Sequence, residues 1–183
     1  MNNETSIRFS DDGRYKLIIE RVPTGEGTWD HLEIEVISVS DNRTIGKTTR
    51  NYPSHAIVHF VSQDGVDYLI ISENYHGGYG VMNLLTGEKV LFTPKSKEMD
   101  KYEQFWCWAA PVSHDPKSKQ LVIAGCYWAA PYDHITFDFS NPMSPPYEVL
   151  KVEDEPLEDW DEDEGEDTVR LTFLVPDHCS PSP

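Results

Sequence analysis

Long apolar runs are missing from this 183-residue chain, and so is clustered positive charge. No stretch reaches the roughly 20 apolar residues that a membrane-spanning helix needs, so no membrane association is expected. The opening residues MNNETSIRFSDD lack the basic and apolar regions of a secretory leader, which points to a cytoplasmic location. Lys and Arg number 15 against 32 Asp and Glu, for a net charge of -17. Binding nucleic acid takes clustered Lys and Arg to neutralise phosphates, so nucleic acid is not an expected partner. Cysteine is scarce as well. Cys107, Cys126 and Cys179 are odd in number and show no CxxC spacing, which fits reduced, buried thiols better than a disulfide framework or a zinc site. A bridge between Cys107 and Cys126 stays open as an alternative.

The motifs of common chemistries are missing too. There is no phosphate-binding loop, no serine-hydrolase elbow and no HExxH. Cys107 stands between Trp106 and Trp108 with no basic neighbour to lower its pKa, so it reads as an inert thiol. No catalytic residue is assigned from the sequence, and a non-catalytic chain is the leading expectation, with the enzyme reading kept open below.

What is present is an acidic run and a great deal of strand pattern. Residues Glu153 to Asp167 hold eleven carboxylates and no basic residue, so most of the charge imbalance sits there. Such a run is expected to be an exposed linker, here 151–167, and a basic protein is its natural partner. Mimicry of a phosphate backbone is the sharper reading of the same residues. Beyond it, TVRLTFLV (168–175) recovers period-two alternation and is expected to be a closing strand, with 176–183 a disordered tail.

Residues 1–150 are read as one domain of three β-meander units, at about 7–49, 55–93 and 105–150. Each has an apolar run, a polar turn, a second apolar run, an aromatic and His-bearing loop, and a third apolar run. The turn aspartates Asp12, Asp64 and Asp115 recur at nearly even spacing, and the strands that follow are similar: LIIE, LIIS and LVIA. In the first unit LEIEVISV alternates cleanly, and Asp12-Gly13 is a hairpin signal because glycine takes positive φ without steric cost. The third turn is expected at Ser113-His114-Asp115-Pro116. The fold class is therefore all-β, three antiparallel meanders plus a C-terminal closing strand.

A meander of this length, with an Asp-Gly turn after its first strand and a turn such as Thr86-Gly87 or Asn141-Pro142 after its third, resembles a β-propeller blade of the WD40-like or Kelch-like kind. The expected Gly-His and Trp-Asp signatures are not in place; Trp29-Asp30 lies in a loop. Closed propellers generally use four to eight blades, and three are visible here. Three completions stay open: a fourth blade assembled from both termini, a homodimer that completes the ring, or a stack that does not close.

If the units are blades, the loops between second and third strands share one face with the segments leading into each new unit. That face collects Trp29, Tyr52, Tyr75, Trp106, Trp108, Trp128 and Tyr132. The functional reading is a binding surface for a protein or small ligand, with rings as anchors. The plainer reading is that these rings cap the core. A sharper alternative takes one histidine from each unit, His31, His76 and His134, as a zinc site with an open fourth position, which would suit a metal-assisted hydrolase or lyase. No cofactor is expected under the leading reading.

Overall fold

A computed structural model describes residues 4–25, 30–51, 58–72, 78–92, 112–125 and 133–154, and within them the chain is all strand and turn. The strands are β1 (Thr5–Phe9), β2 (Tyr15–Val22), β3 (His31–Ser38), β4 (Arg43–Asn51), β5 (Val58–Gln63), β6 (Val66–Ser72), β7 (Tyr79–Asn83), β8 (Lys89–Phe92), β9 (Val112–Asp115), β10 (Gln120–Gly125), β11 (Asp133–Asp138) and β12 (Val149–Asp154). They form three four-stranded antiparallel meanders in sequence order, β1 to β4, β5 to β8 and β9 to β12. The expected three repeated units are these three sheets. Among the described residues the sheets stack, and no closed ring is formed.

Side-chain alternation decides how they stack. Leu17, Ile19, Leu32, Ile34 and Val36 of the first sheet are buried against Leu69, Ile71, Met82 and Leu84 of the second. The opposite side of the second sheet, Tyr68, Ile70, Tyr79 and Val81, packs on Leu121, Ile123, Ile135 and Phe137 of the third. The contacts repeat front to back. Leu17 and Ile19 do for the first sheet what Tyr68 and Ile70 do for the second; Leu69 and Ile71 correspond in the same way to Leu121 and Ile123. The packing equivalents are one residue out of step with the turn aspartates at each unit, so Leu17 has the role of Tyr68 although the aspartate spacing aligns it with Leu69. Each fully buried Leu or Ile in these layers contributes on the order of 1.5–3 kcal/mol.

The turns that close the first hairpin of each unit are less alike than their aspartates suggest. Asp64 and Gly65 form a two-residue loop in which both have positive φ, 52° and 78°, the geometry that matches strand twist. In the first unit Asp12 instead folds back, accepting from Ser10 Oγ at 2.7 Å and from the Arg14 N–H at 3.0 Å. The third turn differs from expectation: β9 runs on through Asp115, and the turn is residues 116–119. Pro116 opens that turn, and the Asp115 carboxylate caps it by accepting from the Lys117 N–H and Ser118 Oγ. Lys119, at φ 54°, ends it.

A fourth strand in the third unit, β12, was not expected from the sequence. It carries the sheet four residues into the stretch read as acidic linker, and Lys151 makes an ion pair with Glu153 on it. Residues 155–183, including the expected closing strand, and all three cysteines lie outside the described residues.

Candidate functional site

The connections alternate between two ends of the stack, and hydrogen bonds between sheets show which belong together. Arg14, after the first turn, reaches Asp67 at the start of β6 through Nη1 at 2.6 Å and Nη2 at 3.1 Å. Asp67 also accepts from Tyr15 Oη at 2.7 Å and from Ser62 Oγ at 2.5 Å. Between the second and third sheets, Lys119 Nζ pairs with Asp64 at 2.8 Å, and His114 Nε2 lies 2.9 Å from Gln63 Oε1. Gln63 also donates its amide to the Phe139 carbonyl at 2.7 Å, which fixes its oxygen toward His114. The tight first turns of all three units therefore lie at one end, here termed the turn end.

A hollow of about 130 Å³ opens there, lined by Ser10, Asp12, Arg14, Tyr15, Phe60, Ser62 and Asp67 among others. Its polar groups are occupied with one another. Burial works to raise the Asp67 carboxyl, but hydrogen bonds from Ser62, Tyr15 and Arg14 together outweigh it and hold it below its ordinary value. Asp12 is drawn down to about 2, first by the Arg14 N–H and then by the Ser10 hydroxyl and the Arg14 guanidinium. Tyr15 is pushed up to about 12, by burial first and by its bond to Asp67 second, so its phenol keeps its proton at neutral pH. Tyr15 also stacks on Phe60, with centroids 6.0 Å apart and planes at 12°. A carboxylate whose oxygens are already taken up is a poor general base, and geometry comes before pKa for that role. This cluster staples two sheets together.

At the other end, which we term the loop end, the chain leaves Val22, Asn51, Ser72, Phe92 and Gly125 and re-enters at His31, Val58, Tyr79, Val112 and Asp133. Trp29, Tyr52, Tyr75, Trp106, Trp108, Trp128 and Tyr132, and with them His76, lie outside the described residues, in the segments that join these strand ends. His31 and His134 are described. Each neighbours a core residue, Leu32 and Ile135, and so points away from the middle sheet. The two histidines therefore lie on the faces of the first and third sheets that turn away from the middle one. His31 Nε2 lies 3.6 Å from Glu33 Oε1, its neighbour on the same face. Among the described residues no group of three His, Cys, Asp or Glu side chains is placed to hold a metal ion.

Two buried polar residues also sit at loop-end strand termini. Arg50 in β4 is 3% exposed and Ser72, the last residue of β6, is 2% exposed. The Ser72 hydroxyl has no hydrogen-bond partner among the described residues. A buried unsatisfied hydroxyl is uncommon and marks a place where water or a ligand group completes the bonding. Neither residue stood out in the sequence, because a lone Ser after an apolar run reads as a strand end.

A second feature missed in the sequence is an aromatic cluster inside the stack. Phe92 packs edge-on to Phe137 and Tyr147, and Phe139 packs edge-on to Tyr68, Tyr147 and His114. Tyr147 Oη donates to the Pro142 carbonyl, and burial pushes its phenol well up. Burial also lowers the pKa of His114, whose ring is part of this cluster. Its paired apolar and polar contacts are those of a core histidine.

No family model matches the chain. A stretch of 134 residues, 73% of the chain, is 30% identical to uncharacterized protein R762 of Acanthamoeba polyphaga mimivirus. The chain spans 50% of the length of that relative, whose name carries no ligand and no reaction.

Proposed function

We propose that this chain is a small non-catalytic binding module whose ligand face is the loop end, in the manner of a propeller-like scaffold. The observation that carries the reading is the difference between the two ends. Polar groups at the turn end satisfy one another across the sheets, whereas the loop end has a fully buried Ser72 hydroxyl with no partner among the described residues. The joining segments at that end carry the seven aromatic residues named above, and Trp and Tyr are the side chains most often found as interface anchors. A protein or small ligand takes the aromatic face, and a basic partner takes the acidic run 153–167. Fold alone does not specify a ligand, so the reading rests on the site.

The test is retention of partners on the full chain against a Trp108→Ala, Trp128→Ala double variant, read by mass spectrometry of bound material. Loss of a defined set of partners from the variant, with unchanged thermal unfolding, is the expected result. Identical bound sets from both proteins would dismiss the loop-end face.

A further inference from the structure

Six strands lie at sheet edges among the described residues, and five of them have a bulge, a length of only four residues or partial cover. Strand β4 has Arg43 and Lys47 and a bulge opposite Val36 and Ile37. Strand β12 has Lys151 and Glu153 and a bulge opposite Thr136 and Phe137. Strands β8 and β9 are only four residues long, and β5 is half covered along Val58 to Val61. Charge, bulges, short length and cover are the usual defences of an edge.

Strand β1 carries one charge, Arg8, but among the described residues it has neither a bulge nor cover. All five residues, TSIRF, are exposed, and Ile7 and Phe9 are 57% and 58% accessible. Its hydrogen-bond phase is fixed by two bonds to the neighbouring strand, Arg21 N–H to the Glu4 carbonyl at 2.9 Å and Ser10 N–H to the Tyr15 carbonyl at 3.0 Å. Even-numbered residues therefore turn their backbone groups toward β2, and Thr5, Ile7 and Phe9 present theirs to the open edge. The same residues place their side chains on the outer face of the first sheet, so the open donors and acceptors run beside an apolar row.

We infer that β1 pairs with β1 of a second copy of this chain, antiparallel, about a two-fold axis passing through Ile7. The sequence of the strand is self-complementary in that register. Ile7 meets the partner's Ile7, and Phe9 lies opposite the partner's Thr5, so the three outward residues of each copy exchange about six backbone hydrogen bonds. On the other face Arg8 stands opposite the partner's Ser6, which avoids a direct like-charge pair. The diagonal neighbours of Arg8 there are the partner's Glu4, an opposite charge, and the partner's Arg8, a like charge that weakens the pairing. Two four-stranded sheets become one eight-stranded sheet, and the loop ends of both copies stay open. The strand is short and the contact small, so the dimer is weak, with a Kd on the order of 10–100 µM.

The experiment is sedimentation velocity on the full chain from about 1 to about 200 µM, beside Ile7→Lys, Ile7→Glu and Ile7→Pro. The wild type shifts reversibly from monomer to dimer across that range. Ile7→Lys and Ile7→Glu each place like charges on the axis and stay monomeric, at least about tenfold weaker in self-association. Mixed in equal amounts they recover a heterodimer, which only a two-fold axis at residue 7 accounts for. Ile7→Pro removes one outward N–H that the first sheet does not use, so the fold holds and the dimer is lost. Thermal unfolding of each monomer confirms that the sheets are intact. A wild type that is monomeric throughout overturns the proposal, and slow amide exchange at Thr5, Ile7 and Phe9 in that monomer would assign the edge to another segment of the same chain. A dimer that survives Ile7→Lys, or a Lys and Glu mixture that stays monomeric, also overturns it.

Discussion

The middle sheet and the first sheet have the same topology, yet their strands read differently, because one is covered on both faces and the other on one. Strand β6, VDYLIIS, buries five consecutive residues from Tyr68 to Ser72, and β7, YGVMN, buries its first four. Strand β3, HLEIEVIS, alternates from Leu32 to Val36, with Leu32, Ile34 and Val36 buried, Glu33 exposed and Glu35 half-buried, and the alternation ends at the bulge, where Ile37 is buried as well. A continuous apolar run belongs to a sheet between two layers, and strict alternation to a sheet with one wet face. The third sheet differs: Ile135 and Phe137 face the middle sheet, and Thr136, on the opposite face, is buried too, while His134 and Asp138 on that face are half-buried. The difference between the middle and first sheets is thus written in the strands themselves.

The largest expected effect breaks that comparison at its centre. Ile70→Ala and Ile71→Ala point to opposite faces of the middle sheet, and each should cost about 3 kcal/mol in urea denaturation. Ile18→Ala, on the outer face of the first sheet opposite Glu35, should cost less than about 1 kcal/mol. Equal costs at Ile18 and Ile71 would mean that the first sheet is covered on both sides after all.

A close approach between the same two sheets sharpens the contrast. Gly87 has φ +77°, and a Cβ added there would lie 2.3 Å from the Ile45 carbonyl oxygen, in the bulged part of β4. Gly65 has a similar φ but nothing within 4 Å of an added Cβ. Gly87→Ala should therefore destabilise by about 2 kcal/mol or more, and Gly65→Asn, which tolerates positive φ, by a few tenths on the order of 0.5 kcal/mol. Similar melting shifts for the two would remove the steric contact as the cause.

How much of this was legible follows from the same physics. The alternation in β3 and the aspartate spacing are local, and they gave the strands and the three units directly. The side on which each face of β6 packs is not local, since Tyr68 and Leu69 look alike to any period-two reading. β12 was hidden because VLKVED carries charges that suit an edge strand as well as a linker. The staples were hidden for a different reason: Arg14 and Asp67 are 53 positions apart, and only the stacking of turns brings them within 2.6 Å. Of the expected metal set, His31 and His134 could be placed only once the faces were known.

The smallest expected effect concerns those staples and is read by pH. The carboxyls of Asp67 and Asp12 are lowered in the folded state, Asp12 to about 2, so each favours folding at pH values above the unfolded carboxylate range of about 4. That contribution is lost as pH falls from about 4 toward 2. Asp67→Asn should cost about 1 kcal/mol at pH 7 and flatten the fall in melting temperature over the acid range. The first and second sheets are the pair affected. A variant curve parallel to wild type from pH 4 to 2 would show that the acid sensitivity lies in other carboxylates.

Front-to-back stacking also gives the chain a direction. The face that the first sheet offers to the second is the one the second offers to the third, so the second unit accepts what it also supplies. A chain with residues 58–92 and their connections present twice would need no new kind of contact, since each added copy would find the surface it already uses. The outer faces of the end units are of another kind, with Glu33 and Glu35 on one and His134 and Asp138 on the other. Lengthening by duplication is open to such a chain at its centre and closed at its ends.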